Sequence, residues 1–227
     1  MNKGWLILFA IVLVVVLGYG SFRIYKKFNR PSIAEEIESF KEKDVENEPP
    51  HHSILFVGSS SFREWDVEEY FPGRKIINRG FGGATLLDVT QYANDIIFVY
   101  EPEQIVLYAG ENDLAVSDTV TAEMVVQRFI TLYQRLRENL GTGVQIIYIS
   151  IKPSPSRAHL LGKMVESNRL IKEFLATQQN TRFINVYNLM MKNDSTPDLT
   201  CFRKDHLHLS KKGYALLARE LTPYLLK

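Results

Sequence analysis

Cysteine occurs once in the 227 residues, at Cys201, so no disulfide can form within the chain whatever its compartment. Nothing cationic flanks that cysteine beyond Arg203 and Lys204, which leaves it a small packed loop residue and not an activated thiol. Charge of one sign is lacking too. The 27 Lys and Arg against 26 Asp and Glu leave a net charge of +1, which gives no basic footprint for nucleic acid. There are no internal repeats. The one glycine cluster, Gly80-Phe81-Gly82-Gly83, is not G-x-G-x-x-G and no Gly-Lys-Ser/Thr follows it, so a phosphate loop is excluded. Finally, no long apolar insertion stands between the later segments to serve as a lid.

Long uncharged runs are confined to the N-terminus. Trp5 to Phe22 carries no charge over about 18 residues, the length of a membrane-spanning helix, with Trp5 at one end and Tyr19, Phe22 and Tyr25 at the other as interfacial anchors. A cleaved signal peptide is the competing reading, with Lys3 as its basic start and Gly18-Tyr19-Gly20 as its small-residue cleavage site. Arg23, Lys26, Lys27 and Arg30 favour a retained single-pass anchor over residues 1–30. Those charges, read literally, hold the main domain in the cytoplasm. Long C-terminal domains translocate largely regardless of charge, however, and the extracytoplasmic side is the expectation adopted.

Residues 31–52 are acidic and polar, closing on Pro49-Pro50, and read as a linker holding the domain off the membrane. Ile33, Ile37 and Phe40 fall at helical spacing, so a short amphipathic helix is expected to begin it. From Ser53 to the C-terminus, short Ile/Val/Leu/Tyr-rich runs alternate with segments of helical period. The runs are Ile54 to Val57, Lys75 to Asn78, Ile105 to Ala109, Gln145 to Ser150 and Phe183 to Tyr187. The helical segments are Leu86 to Tyr100, Ala122 to Asn139, Lys163 to Thr177 and Lys211 to Leu225. This βαβ succession predicts an α/β domain over 53–227, a parallel sheet with helices on both faces. Ligands bind such sheets outside the carboxyl ends of the strands, and Ser60, Gly83 and Asn112 each follow a predicted strand.

Of the serines in Gly58-Ser59-Ser60-Ser61, Ser61 fits a capping box with Glu64, which leaves Ser60, just before the helix start, as the candidate nucleophile. Alone, such a serine reads as a turn or cap residue. Glycines at 80, 82 and 83 let backbone approach a ligand, and Thr85 with Asp88 fits an N-cap, so a glycine N–H there suits an oxyanion. Asn112 offers a side-chain amide to the same charge, or satisfies local backbone. Asp205 lies three residues before His208, within reach of its Nδ1, and the pair supplies the base that a serine needs. His206 is expected at the surface or in packing. An H-x-H metal pair with Asp205 is the weaker reading, since His51, His52 and His159 add no ligand pattern. Lys152-Pro153-Ser154-Pro155-Ser156-Arg157 is either a substrate loop or a proline-stiffened connector, and Trp65 either lines the pocket or sits in the core.

Taken together these blocks resemble the SGNH hydrolases, the GDSL-type lipase and acylhydrolase family, from about Ile54 to the C-terminus. Gly58-Ser59-Ser60 matches the family's Gly-Asp-Ser, Asn78 to Gly83 its Asn-x-Gly-x-x-Gly, Gly110 to Asp113 its Gly-x-Asn-Asp, and Asp205 to His208 its Asp-x-x-His. Ser59 stands where the family usually has aspartate. Gly-Ser-Ser also resembles a bacterial subgroup related to platelet-activating factor acetylhydrolases. The resemblance implies a three-layer α/β/α sandwich with a five-stranded parallel, flavodoxin-like sheet and no cofactor or metal. It also implies hydrolysis of a small ester by Ser60, Asp205 and His208, with Ser60, Gly83 and Asn112 as the oxyanion site. A short-chain acyl or O-acetyl ester is the preferred substrate. Lipid acyl esters, as for a lysophospholipase or thioesterase, and a non-catalytic tethered binding module are the alternatives.

Overall fold

The computed structural model describes residues 31–226 and, ahead of them, only Val12 and Gly18. Apart from those two positions, the apolar run and its basic flank lie outside the described residues. Among the described residues, no helix is long and apolar enough to cross a membrane.

Five strands form one parallel sheet: β1 (Ile54–Gly58), β2 (Ile76–Gly80), β3 (Gln104–Tyr108), β4 (Gln145–Ile149) and β5 (Thr181–Ile184), in the order β2-β1-β3-β4-β5. β1 and β3 are buried at every position, which is why they read as unbroken apolar runs and not as alternating ones. Alternation still sorts their side chains by face. Leu55, Val57, Ile105 and Leu107 join one core cluster, and Ile54, Phe56, Val106 and Tyr108 the other. β5 ends three residues before the expected Tyr187 because Ser150 Oγ accepts the N–H groups of Val186 and Tyr187, at 2.9 and 3.2 Å, and draws the chain off the sheet.

One face is covered by α4 (Leu86–Gln91), α5 (Ala93–Ile96), α7 (Ala122–Leu140) and α8 (Leu161–Ala176). The other carries α2 (Ser60–Arg63), α3 (Val67–Tyr70) and α9 (Lys211–Leu221). Two helices expected whole are interrupted. Leu86 to Tyr100 breaks at Tyr92 and Ile97, so that Leu86, Val89, Ala93, Ile96 and Ile97 all stay fully buried as the chain curves towards β3. The last helix stops at Leu221 because Pro223 has no N–H for the carbonyl a turn earlier, and a 3₁₀ turn, Thr222–Tyr224, finishes it.

The acidic stretch departs furthest from expectation. Instead of opening a free spacer, α1 (Ile33–Glu46) runs 14 residues and packs on the domain, with Ile37 only 2% exposed inside the core cluster of the α7 and α8 face. Its start is fixed by a reciprocal capping box between Ser32 and Glu35. Two of its acids find basic partners on the domain: Glu36 pairs with Arg63 and Asp44 with Arg79. Only the segment 47–53 remains as a connection into β1.

Candidate active site

At the carboxyl end of β1 the backbone leaves the sheet through Gly58, whose φ of +144° and closeness to the Tyr108 carbonyl, where a Cβ would fall, leave room for glycine alone. Ser59 N donates to that carbonyl at 3.0 Å, and Ser60 becomes the first residue of α2. The capping box expected at Ser61 does not form. The helix starts two residues earlier with Ser59 at its N-cap, Ser61 is buried, and Glu64 instead closes the helix and turns to Arg203. Asn78, which the sequence reading passed over except as a family match, fastens this turn. Its Nδ2 donates to the carbonyls of Phe62 (2.7 Å) and Trp65 (3.3 Å), and its Oδ1 accepts from Gly80 N at 3.0 Å.

The three glycines of the second block serve different ends. A Cβ on Gly80 would collide with the backbone of Phe62 and Arg63, so this glycine lets α2 lie against β2. Gly82 is hemmed in by the side chains of Arg63 and Glu36. Gly83 has open space around it and is required by its φ of +72°. Beyond it, Thr85 and Asp88 form the expected capping box at the start of α4. The backbone N–H groups of Ser60 and Gly83 donate to no acceptor among the described residues.

At the end of β3, Gly110 takes φ +112° and opens α6 (Glu111–Val116), so Asn112 stands in a short helix and not in a loop. Its amide orientation is fixed by chemistry: Nδ2 donates to Ala84 O at 2.9 Å and Oδ1 accepts from Arg157 Nη2 at 2.9 Å. Exchanging oxygen and nitrogen would set carbonyl against carbonyl and donor against donor. One Nδ2 hydrogen is left over. Its neighbour Asp113, fully buried, takes Leu86 N at 2.9 Å and Arg128 at 2.9 Å, which locks α6 to α4 and α7.

The last block closes the set. His208 Nε2 lies 3.2 Å from Ser60 Oγ and its Nδ1 lies 2.7 Å from Asp205 Oδ2. Asp205 Oδ1 also accepts the N–H groups of Leu207 and His208, both at 3.0 Å. Partial burial opposes ionisation of Asp205, but the bonds from His208 and these two N–H groups outweigh it and hold its carboxyl down at about 2. Glu64 Oε1 is 3.6 Å from His208 Nε2, a second carboxylate on the serine side of the ring. His206 is exposed, with φ 55°, and its carbonyl accepts Ser156 N. Among the described residues no group of three or more His, Cys, Asp or Glu is arranged to hold a metal ion. Trp65 is core: 3% exposed, stacked on Tyr214 at 5.5 Å and packed against Phe56, Phe62 and Phe71.

Beneath Asn112 lies a charged cluster the sequence reading missed. Lys152 and Glu111, 2% and 5% exposed at their side chains, pair at 2.6 Å, with Ser154 Oγ 2.6 Å from the ammonium and Tyr108 OH 2.8 Å from the carboxylate. Arg157 Nη1 adds a contact to Glu111 Oε1 at 3.2 Å. Burial alone would raise the Glu111 carboxyl. The adjacent Lys152 and Arg157 charges prevail and hold it below the usual carboxylate range. The Pro-rich segment is thus a bracket under the site: Lys152 to Ser154 are buried, and Arg157 reaches Asn112. Its only available signal was that two bases, Lys152 and Arg157, follow a strand end.

The family model described as GDSL-like Lipase/Acylhydrolase family matches residues 56–216. No curated protein matches the chain. Several solved structures share the fold. A Streptococcus pneumonia protein provisionally described as a platelet activating factor is 20% identical, with a TM-score of 0.72 over 92% of this chain and 99% of that one. A GDSL-like lipase from Bacteroides thetaiotaomicron is 17% identical, with a TM-score of 0.69 over 82% and 95%. An acetyl-xylooligosaccharide esterase from Geobacillus Stearmophilus, solved as a mutant, is 14% identical, with a TM-score of 0.61 over 79% and 97%.

Proposed function

We propose, because this chain belongs to the GDSL-like lipase/acylhydrolase family and is therefore an esterase or acylhydrolase, that it hydrolyses a short acyl ester through a serine triad. The observation carrying this reading is the line Ser60 Oγ, His208 Nε2, His208 Nδ1, Asp205 Oδ2, with 3.2 and 2.7 Å at its two joints. Ser60 Oγ attacks the ester carbonyl as its proton passes to His208 Nε2, and Asp205 holds the ring and balances the imidazolium. The tetrahedral oxygen is received by the N–H groups of Ser60 and Gly83 and by the remaining Nδ2 hydrogen of Asn112. Collapse expels the alcohol, which takes the proton from His208. Water then attacks the acyl-Ser60 carbonyl as its proton passes to His208, and collapse breaks the bond to Ser60 Oγ, which takes that proton back as the acid leaves.

An acetyl or similarly short acyl group is the substrate class we assign, in keeping with the deacetylating neighbour named above. We further assign the Trp5 to Phe22 run as a retained anchor, with the catalytic domain outside the cytoplasm. The test is labelling by a fluorophosphonate probe together with p-nitrophenyl acetate turnover. Wild type is labelled at Ser60 and turns over, Ser60→Ala does neither, and retained esterase activity in Ser60→Ala would refute the triad. A panel of p-nitrophenyl esters from acetate to palmitate should favour the short end, and a preference for long chains would refute the substrate class.

A further inference from the structure

Glu36 joins the two parts of the molecule that bear the proposed nucleophile and the oxyanion donor. One of its oxygens, Oε1, takes Arg63 Nη1 at 2.9 Å, and Arg63 is the last residue of α2, the helix that Ser60 begins. Its other oxygen, Oε2, accepts Gly82 N at 3.0 Å, and Gly82 directly precedes Gly83. The side chain is 12% exposed, and a Cβ at Gly82 would meet Glu36 Oε1 at 2.8 Å and run into Arg63, so glycine at 82 serves the approach of Glu36. α1, which bears Glu36, lies outside the stretch 56–216 matched to the family. Three further contacts seat it: buried Ile37, Asp44 on Arg79 and Tyr100, and Lys41 on Asp95 at 2.9 Å.

The geometry points to Glu36 as a positioning residue for the oxyanion site. It holds the Phe81–Gly82 peptide, one unit ahead of the peptide that carries the Gly83 N–H, and so restrains where that N–H lies relative to Ser60. The inference rests on the oxyanion role given to Gly83 above. The Gly82 N–H needs an acceptor, and Glu36 supplies it from a helix that shares no strand or turn with the loop. Without it the Phe81–Gly82 peptide is free to rotate and the adjoining Gly83 N–H loses its restraint, so alignment on the transition state is lost while the ground-state ester is bound as before.

The test uses the full-length chain, with p-nitrophenyl acetate kinetics and thermal melting for each variant. Glu36→Ala should lower kcat about tenfold or more with KM changed less than about twofold, at a temperature where melting shows the protein folded. Glu36→Gln, which keeps an acceptor oxygen for Gly82, should recover kcat to within about threefold of wild type. Lys41→Ala, which loosens α1 away from the loop, should lower the melting temperature at most and leave kcat in place. Should Glu36→Ala not fold, Glu36→Asp withdraws the acceptor while keeping the charge beside Arg63, and it should lower kcat at least about fivefold. A folded Glu36→Ala or Glu36→Asp with wild-type kcat overturns the inference, as does an equal fall of kcat in Lys41→Ala. Ser60→Ala in the same series separates the two readings: if it is inactive while the Glu36 variants are unaffected, only the positioning role fails.

Discussion

Asn112→Ala is the substitution whose effect the structure makes most specific. In the resting enzyme one Nδ2 hydrogen is spent on Ala84 O and Oδ1 is spent on Arg157, which leaves a single N–H aimed by two fixed bonds. Alanine removes that donor without touching Ser60, His208 or Asp205. A preorganised donor to an oxyanion is worth about 10²- to 10³-fold in kcat, roughly 3 to 4 kcal/mol, because it acts where charge develops and not on the neutral ester. KM should change little. The fold should lose about 1 kcal/mol, since Ala84 O forfeits one neutral bond while Arg157 keeps Glu111. The assay is p-nitrophenyl acetate turnover normalised to fluorophosphonate-titrated sites, with urea unfolding alongside. Arg157→Met should reproduce part of the loss, about tenfold in kcat, by freeing the amide to flip. A kcat for Asn112→Ala within about threefold of wild type, or a loss confined to KM, would refute the oxyanion assignment.

The buried Glu111–Lys152 pair should be costly to break: Lys152→Met leaves the carboxylate short of its closest counter-charge and should lose about 3 kcal/mol in urea unfolding, much of it restored by adding Glu111→Gln. The glycines separate by mechanism, so Gly83→Ala, with open space at its Cβ, should fold at a backbone cost of about 1 kcal/mol, whereas Gly58→Ala, whose Cβ meets the Tyr108 carbonyl, should give little soluble protein. Acid stability should fall as pH drops from about 4, because Asp205 and Glu111 have carboxyls depressed in the fold and the unfolded chain binds protons first. The Asp205 share vanishes as pH passes through about 2, Asp113, pushed up by burial, works in the opposite sense, and a fluorescence-monitored acid titration in which Asp205→Asn shows the same midpoint would contradict the first claim.

What the sequence carried and what it hid divide along a physical line. Ser60, Gly83 and Asn112 were legible because each follows a strand, and a parallel sheet delivers all strand ends to one edge. Asp205 and His208 were legible because their bond closes over three residues. The strands themselves showed as apolar runs, since β1 and β3 are covered on both faces. The misread charges share one cause, partners distant in sequence. Glu36 and Asp44 looked like solvated linker acids, yet their partners Arg63 and Arg79 lie on the far side of β1 and in β2. Glu111 looked like the spare letter of its motif, yet Lys152 neutralises it from the end of another strand. Local periodicity says which face a residue occupies and nothing about which opposite charge waits there. Ser61 and Glu64 fail for a related reason. The capping box is a local pattern, and at this turn it yields to the tertiary demands of Gly58 against Tyr108 and of Asn78 on the Phe62 carbonyl, which start α2 two residues early. With that early start Ser60 lies 3.2 Å from His208, so the local rule breaks at the proposed nucleophile.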